Sequence, residues 1–205
     1  MSEEAELEML LRLMPPGMAS DTRVDWDRMA GSWGRRFPAG YRRFIEAYGS
    51  GIVQDYLVVI EPEPAGEPYE EPTDGMREHT AFARNMWHET RKTPELEGTT
   101  PQLITWGVDS SADYLCWDAS DQDSDRWPVL VYNRGDSLWR RYDCGMVAFL
   151  VRSLRADFPD LPFGDVSFWG RGSASYVTQT EYMRRLKEGL DPWTGEPDPD
   201  AGVSG

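Results

Sequence analysis

The stretch Phe37-Pro38-Ala39-Gly40-Tyr41-Arg42-Arg43-Phe44-Ile45-Glu46-Ala47-Tyr48-Gly49-Ser50-Gly51 is the most regular in the chain. Tyr41, Phe44, Ile45 and Tyr48 recur at i, i+3, i+4 and i+7, one face of a helix. Pro38 suits a first helical turn and Gly49 a left-handed terminator, so the pattern predicts a helix from Pro38 to Tyr48. Gly51 then leads into Ile52-Val-Gln-Asp-Tyr-Leu-Val-Val-Ile60, rich in β-branched residues and closed by Glu61-Pro62, which predicts one strand.

Upstream, Leu7, Leu10, Leu11 and Met14 fall at helical spacing until Pro15-Pro16-Gly17 stops the helix. Asp21 to Trp33 reads as a second short helix with Trp26, Met29 and Ala30 on one side, ended by Gly31 and Gly34. Downstream, Glu61 to Asp74 is rich in Pro, Glu and Gly and reads as an exposed acidic connection. Thr73 is a candidate cap for a helix running to about Thr90, with Met76, Thr80, Ala83 and Met86 or Trp87 on one face. Four short strands follow: Leu103 to Val108, Asp113 to Asp118, Trp127 to Tyr132 and Ser137 to Tyr142. Their links, Asp109–Ala112, Ala119–Arg126 and Asn133–Asp136, are turn-forming, so a meander is the economical topology. Val147, Leu150, Val151 and Leu154 make a helical stripe over Cys144–Ala156 that can cover a sheet face. Beyond Phe158 the chain is extended, Phe168-Trp169 is expected to dock on the body, and Thr178 to Leu190 can form a late helix. The division is an N-terminal helix and linker (1–20), a domain (21–158), an extension with a helix packing on it (159–190) and a disordered Pro/Gly/Asp-rich tail (191–205).

Composition narrows the function. The 205 residues include nine Trp, nine Tyr and seven Phe, enough apolar area for an ordered core. Lys plus Arg total 21 against 36 Asp plus Glu, a net charge of -15, which repels a phosphate backbone. Nucleic acid and anionic membranes are therefore disfavoured partners. No apolar run approaches the ~20 residues of a membrane span, and Met1-Ser2-Glu3-Glu4 lacks the basic-then-apolar order of a signal peptide, so the expected location is cytoplasmic. Cys116 and Cys144 form no CxxC and read as small buried apolar residues.

The helix described first, with Trp26 before it and Tyr48-Gly49-Ser50-Gly51 closing it, resembles the signature of the SUKH superfamily. That group is typed by the yeast cell-wall assembly regulator and includes many bacterial immunity proteins. Trp106-Gly107, Asp113 to Trp117, Trp127 to Val131 and Gly145-Met146 to Leu154 resemble the later part of its pattern, so the likeness covers roughly Trp26 to Leu154. Phe37 stands where Leu is usual and Gly40 where an acidic residue is common. The resemblance implies an α+β fold, with a bent, mostly antiparallel sheet of four to six strands flanked by helices. It also implies direct binding of a toxin, often a nuclease or deaminase, and carries over no catalytic residue.

The residues themselves supply little catalytic apparatus. His79 and His88 are nine positions apart on one expected helix, about 180° apart in azimuth, so they cannot share a ligand. There is no GxSxG, and Cys144 has no nucleophile signature. Gly170-Arg-Gly-Ser173 and Gly31-Ser-Trp-Gly34 match neither a P-loop nor a dinucleotide fingerprint. Glu61 with Glu63 is the only local carboxylate pair; Pro62 and Pro64 place it in a loop and favour a solvated acidic segment over a glycosidase-like pair. Trp106, Trp117, Trp127 and Trp139 admit a sugar-stacking platform or a sheet core, and the core is the simpler account. No metal site or cofactor is expected.

Acid is distributed unevenly. Glu61, Glu63, Glu67, Glu70, Glu71 and Asp74 crowd one connection, and Asp113, Asp118, Asp121, Asp123 and Asp125 crowd the turn between two expected strands. Such clusters either only solubilise or steer a basic partner. The leading expectation is a non-enzymatic immunity protein of SUKH type that occludes the active cleft of a basic cognate toxin. Its expected contact residues are Tyr114, Trp117, Asp118, Asp121, Asp123, Asp125 and Trp127. The alternatives are a regulatory or scaffold domain binding a host protein, and a carbohydrate-binding or hydrolytic protein.

Overall fold

The computed structural model describes residues 3–17, 23–63 and 75–198. Asp21, the expected start of the second helix, Thr73, the expected cap, and Glu67, Glu70, Glu71 and Asp74 lie outside the described residues. Three helices precede the first strand: α1 (Glu3–Leu13), α2 (Trp26–Trp33) and α3 (Ala39–Tyr48). Asp25 caps α2 by accepting from Arg28 N at 3.0 Å, and Gly34, with φ of 69°, ends it in the left-handed region. Gly31, read as a terminator, is inside the helix.

The segment expected to be one strand folds back on itself, as β1 (Gly51–Val53) and β2 (Leu57–Val59) paired antiparallel. The turn places Gln54 and Asp55 at φ of 54° and 52°, a conformation that usually recruits Asn or Gly. After α4 (Met76–Glu89) and the two-residue strand β3 (Arg91–Lys92) comes the meander: β4 (Leu103–Asp109), β5 (Tyr114–Asp118), β6 (Val129–Asn133) and β7 (Leu138–Tyr142). The helix α5 (Met146–Leu154), the short strand β8 (Tyr176–Thr178) and α6 (Gln179–Lys187) complete the order.

The fold is α+β. Its eight-stranded sheet runs β3-β7-β6-β5-β4-β2-β1-β8, antiparallel throughout except for the β3–β7 pair. The expected four to six strands are thus exceeded. The hairpin of β1 and β2 and two very short edge strands, β3 and β8, extend the meander.

Alternation sorts the central strands between two layers. Val129 and Val131 of β6, with Leu115 and Trp117 of β5, enter a large core under α1, α3 and α5. Leu130, Tyr132 and Cys116 point to the other face, where Ala83 and Trp87 of α4 cover them. Both faces are buried, which is why these strands read as nearly unbroken apolar runs. Leu10 and Met14 are fully buried in the larger core, so α1 belongs to the same body as the sheet. Phe163 and Phe168 are buried there too, and β8 adds to the sheet through β1. Asp191 to Asp198, the expected start of the disordered tail, turn back on α6: Asp191 N donates to Glu196 O at 2.8 Å and Trp193 lies 6.4 Å from Tyr182.

Candidate functional site

The expected site centres on the connection from β5 to β6, and hydrogen bonds give that connection a fixed shape. Asp118 Oδ1 accepts from Ser120 Oγ at 2.5 Å and from Gln102 N at 3.1 Å. Asp121 Oδ1 accepts from Asp123 N at 2.9 Å, and Asp123 Oδ1 from Asp125 N at 3.2 Å, two successive Asx turns. Asp125 reaches further. Its Oδ1 accepts from Ala39 N, the first residue of α3, at 2.6 Å, while Pro38 gives that helix no side-chain cap of its own. A carboxylate at this end also meets the positive pole of the helix dipole. From beneath, Trp127 Nε1 donates to Asp121 O at 2.8 Å.

Beside the turn lies a group of arginines that sequence reading missed. Arg35, Arg36 and Arg42 line a groove of about 580 Å³ together with Asp121, Asp123 and Asp125. Arg35 donates to the Ala119 carbonyl and, at 2.6 Å, to Gln102 Oε1, and its guanidinium sits 5.8 Å from the Trp127 ring centroid. Arg141 approaches Asp118 at 4.0 Å, and the exposed Arg126 approaches Asp121 at 3.6 Å. Each of the four aspartates commits its Oδ1 to internal bonds; Asp121, Asp123 and Asp125 stand exposed and Asp118 is half-buried. The signal for these arginines was the Arg35-Arg36 pair just past Gly34, which the helix pattern gave no reason to orient.

Three of the seven expected contact residues need correction. Trp117 is fully buried, 4.9 Å from Tyr41 and 6.1 Å from both Trp106 and Trp127. Trp127 is 2 % exposed. Neither presents a surface anchor, because the inward side of β5 and the segment just before β6 fill the core with their largest residues. Tyr114 is half-buried at the other end of β5, on the α4 side, with its ring 5.9 Å from His79. Asp118, Asp121, Asp123 and Asp125 are the four that the fold gathers on one turn.

The remaining candidate chemistries are absorbed by structure. Glu63, expected in a solvated loop, is buried, and its carboxylate accepts from Met76 N at 3.0 Å and Arg77 N at 2.8 Å, capping α4. Asp113 is fully buried and joins two loops, accepting from Arg134 N at 2.8 Å and Gly164 N at 2.6 Å. Burial pushes the Cys116 thiol up to about 12 and the Cys144 thiol up to about 11, which disfavours the reactive thiolate. Gly170 N and Gly172 N donate to Ser153 O and Leu154 O at the end of α5, at 2.9 and 2.8 Å. Trp106, Trp117, Trp127 and Trp139 all lie in the core, so they form no sugar-stacking platform. His79 and His88 both lie on α4, and among the described residues no group of three or more His, Cys, Asp and Glu is placed to hold a metal ion. No helix among those residues is long and apolar enough to cross a membrane.

The geometry thus offers a hydrogen-bonded acidic turn that shares a groove with three arginines. No protein-family model, curated protein or solved structure matches this chain.

Proposed function

We propose that this chain is a non-enzymatic protein-binding domain of SUKH type. In this reading it is an immunity protein that neutralises a cognate bacterial toxin of nuclease or deaminase type, in the cytoplasm, by covering its active cleft. The observation that supports the reading best is the turn from Asp118 to Asp125, held by its own hydrogen bonds and by the α3 cap, with Asp121 and Asp123 exposed. A toxin that grips a polyanion must be basic, and a net charge of -15 steers such a partner over distance. Rigidity matters equally, because a preformed turn has little conformational freedom left to lose on docking. With Trp117 and Trp127 in the core, the anchoring side chains are the partner's, with Arg or Lys set against Asp121 and Asp123.

The test is co-expression with the toxin encoded beside this chain, reading growth rescue and co-purification. The double variant Asp121→Asn, Asp123→Asn, which keeps both Oδ1 acceptors of the turn and removes the two charges, should associate several-fold more slowly at low salt, and Asp121→Lys with Asp123→Lys at least about tenfold more slowly, since rim charges act mainly on the on-rate. Failure to bind any neighbouring effector removes the reading.

A further inference from the structure

The groove that the acidic turn shares with the arginines holds uncommitted charge of both signs. Arg35 is committed, to the Ala119 carbonyl, Gln102 Oε1 and the Trp127 ring. Arg42 is half-buried near Glu3 of α1; burial pushes the Glu3 carboxyl up, and the Arg42 charge opposes this. Arg36 differs from both. It is exposed, and among the described residues its side chain makes no hydrogen bond, ion pair or ring contact. On the acidic side, Asp121 has Arg126 at 3.6 Å, while Asp123 and Asp125 each give Oδ1 to a backbone N–H and make no ion pair among the described residues. A guanidinium and two carboxylates thus line one groove without pairing with each other.

That arrangement constrains a basic partner. At long range the net charge of -15 draws such a partner in. At contact, a uniformly basic surface laid over the turn would also set a cation against Arg36, and like charges brought together across an interface are penalised. A carboxylate at that point of the partner replaces the penalty with a charge-assisted pair, which a guanidinium can make with both carboxylate oxygens. A cleft that acts on nucleic acid carries both signs: basic side chains for the phosphates and a carboxylate for proton transfer. We propose, on the protein-binding reading above, that Arg36 is a specificity-determining residue of this surface. It takes an Asp or Glu carboxylate of the partner while Asp121 and Asp123 take Lys or Arg, and so turns away proteins that are merely basic.

Two probes give Arg36→Gln opposite signs on the full chain at low salt: the toxin encoded beside it, and poly-lysine as an indiscriminate polycation. With the toxin, the variant should raise Kd about tenfold, carried mainly by faster dissociation. With poly-lysine it should bind more tightly than the wild type, because one repelling charge is gone. No internal bond depends on the Arg36 side chain, so the melting temperature should stay unchanged. Arg36→Lys keeps the charge and loses the two-pronged geometry, and its toxin affinity should fall between the other two. Toxin binding that Arg36→Gln leaves unchanged or tightens overturns the proposal while the protein-binding reading stands; no complex with any neighbouring effector removes both.

Discussion

Replacing Asp109 by Asn should flatten the dependence of stability on pH. Asp109 ends β4, and its Oδ1 accepts from Ser111 N and Asp113 N, both at 2.9 Å. The carboxylate is buried, beside the Tyr56 phenol of the β1–β2 turn and the Asp113 carboxylate. Burial, reinforced by Asp113 and opposed by the donors, pushes Asp109 up to about 6. In the unfolded chain an Asp titrates near 3.9, so between about pH 4 and about pH 6 the folded state holds the proton that the unfolded state has lost. Stability from this group is complete below about pH 4 and is lost as pH rises through about 6. Two pH units at about 1.4 kcal/mol each amount to about 3 kcal/mol. Asn keeps the Oδ1 acceptor and cannot ionise. Urea unfolding of both proteins across that range isolates the site, because carboxylates that do not interact with Asp109 cancel in the difference. The variant should gain up to about 3 kcal/mol on the wild type between the acid and neutral ends. Parallel stability curves would refute the reasoning.

Other consequences concern the caps and the sheet edge. Asp125→Ala removes the cap on α3 and should cost about 1 kcal/mol in urea unfolding, while Asp125→Asn, which keeps an acceptor, should recover most of it. Glu63→Ala leaves one buried and one half-buried N–H group of α4 unmade and should cost about 1–3 kcal/mol with loss of helical circular dichroism; an unchanged midpoint would mean that another group caps the helix. At Gly51 an added Cβ would lie 2.4 Å from Val177 O and 2.7 Å from the Tyr176 hydroxyl. Gly51→Ala should therefore release β8, seen as lost hydrogen-exchange protection over Tyr176–Thr178, and retained protection would contradict the β1–β8 pairing.

What was legible in the sequence followed periodicity. The Tyr41, Phe44, Ile45 and Tyr48 stripe became the buried face of α3, and the four apolar runs from Leu103 to Tyr142 became the meander. Where signals were short or distant, reading failed. The β1–β2 turn uses Gln54 and Asp55 at positive φ without the Asn-Gly or Gly that marks such turns, so two strands looked like one. The edge strands β3 and β8 span two and three residues, too few to show alternation. Glu63 caps a helix across 13 residues of chain and Asp125 one across 86, distances at which no local motif exists. At the candidate site the acidic turn was evident from composition. The burial of Trp117 and Trp127 was not, because a Trp beside a turn reads equally as anchor or as core. The group of arginines also escaped notice, since only the tertiary fold sets Arg35 and Arg36 in one groove with Asp121 and Asp123.

One rate measurement tests the proposed binding most directly. The purified chain should be mixed with the toxin encoded beside it and the association followed at rising salt. A tight complex is expected, forming fastest at low ionic strength, slowed about tenfold or more by Asp121→Lys with Asp123→Lys, and abolishing the toxin's activity. No complex, or a complex whose formation ignores both salt and the two substitutions, would contradict it.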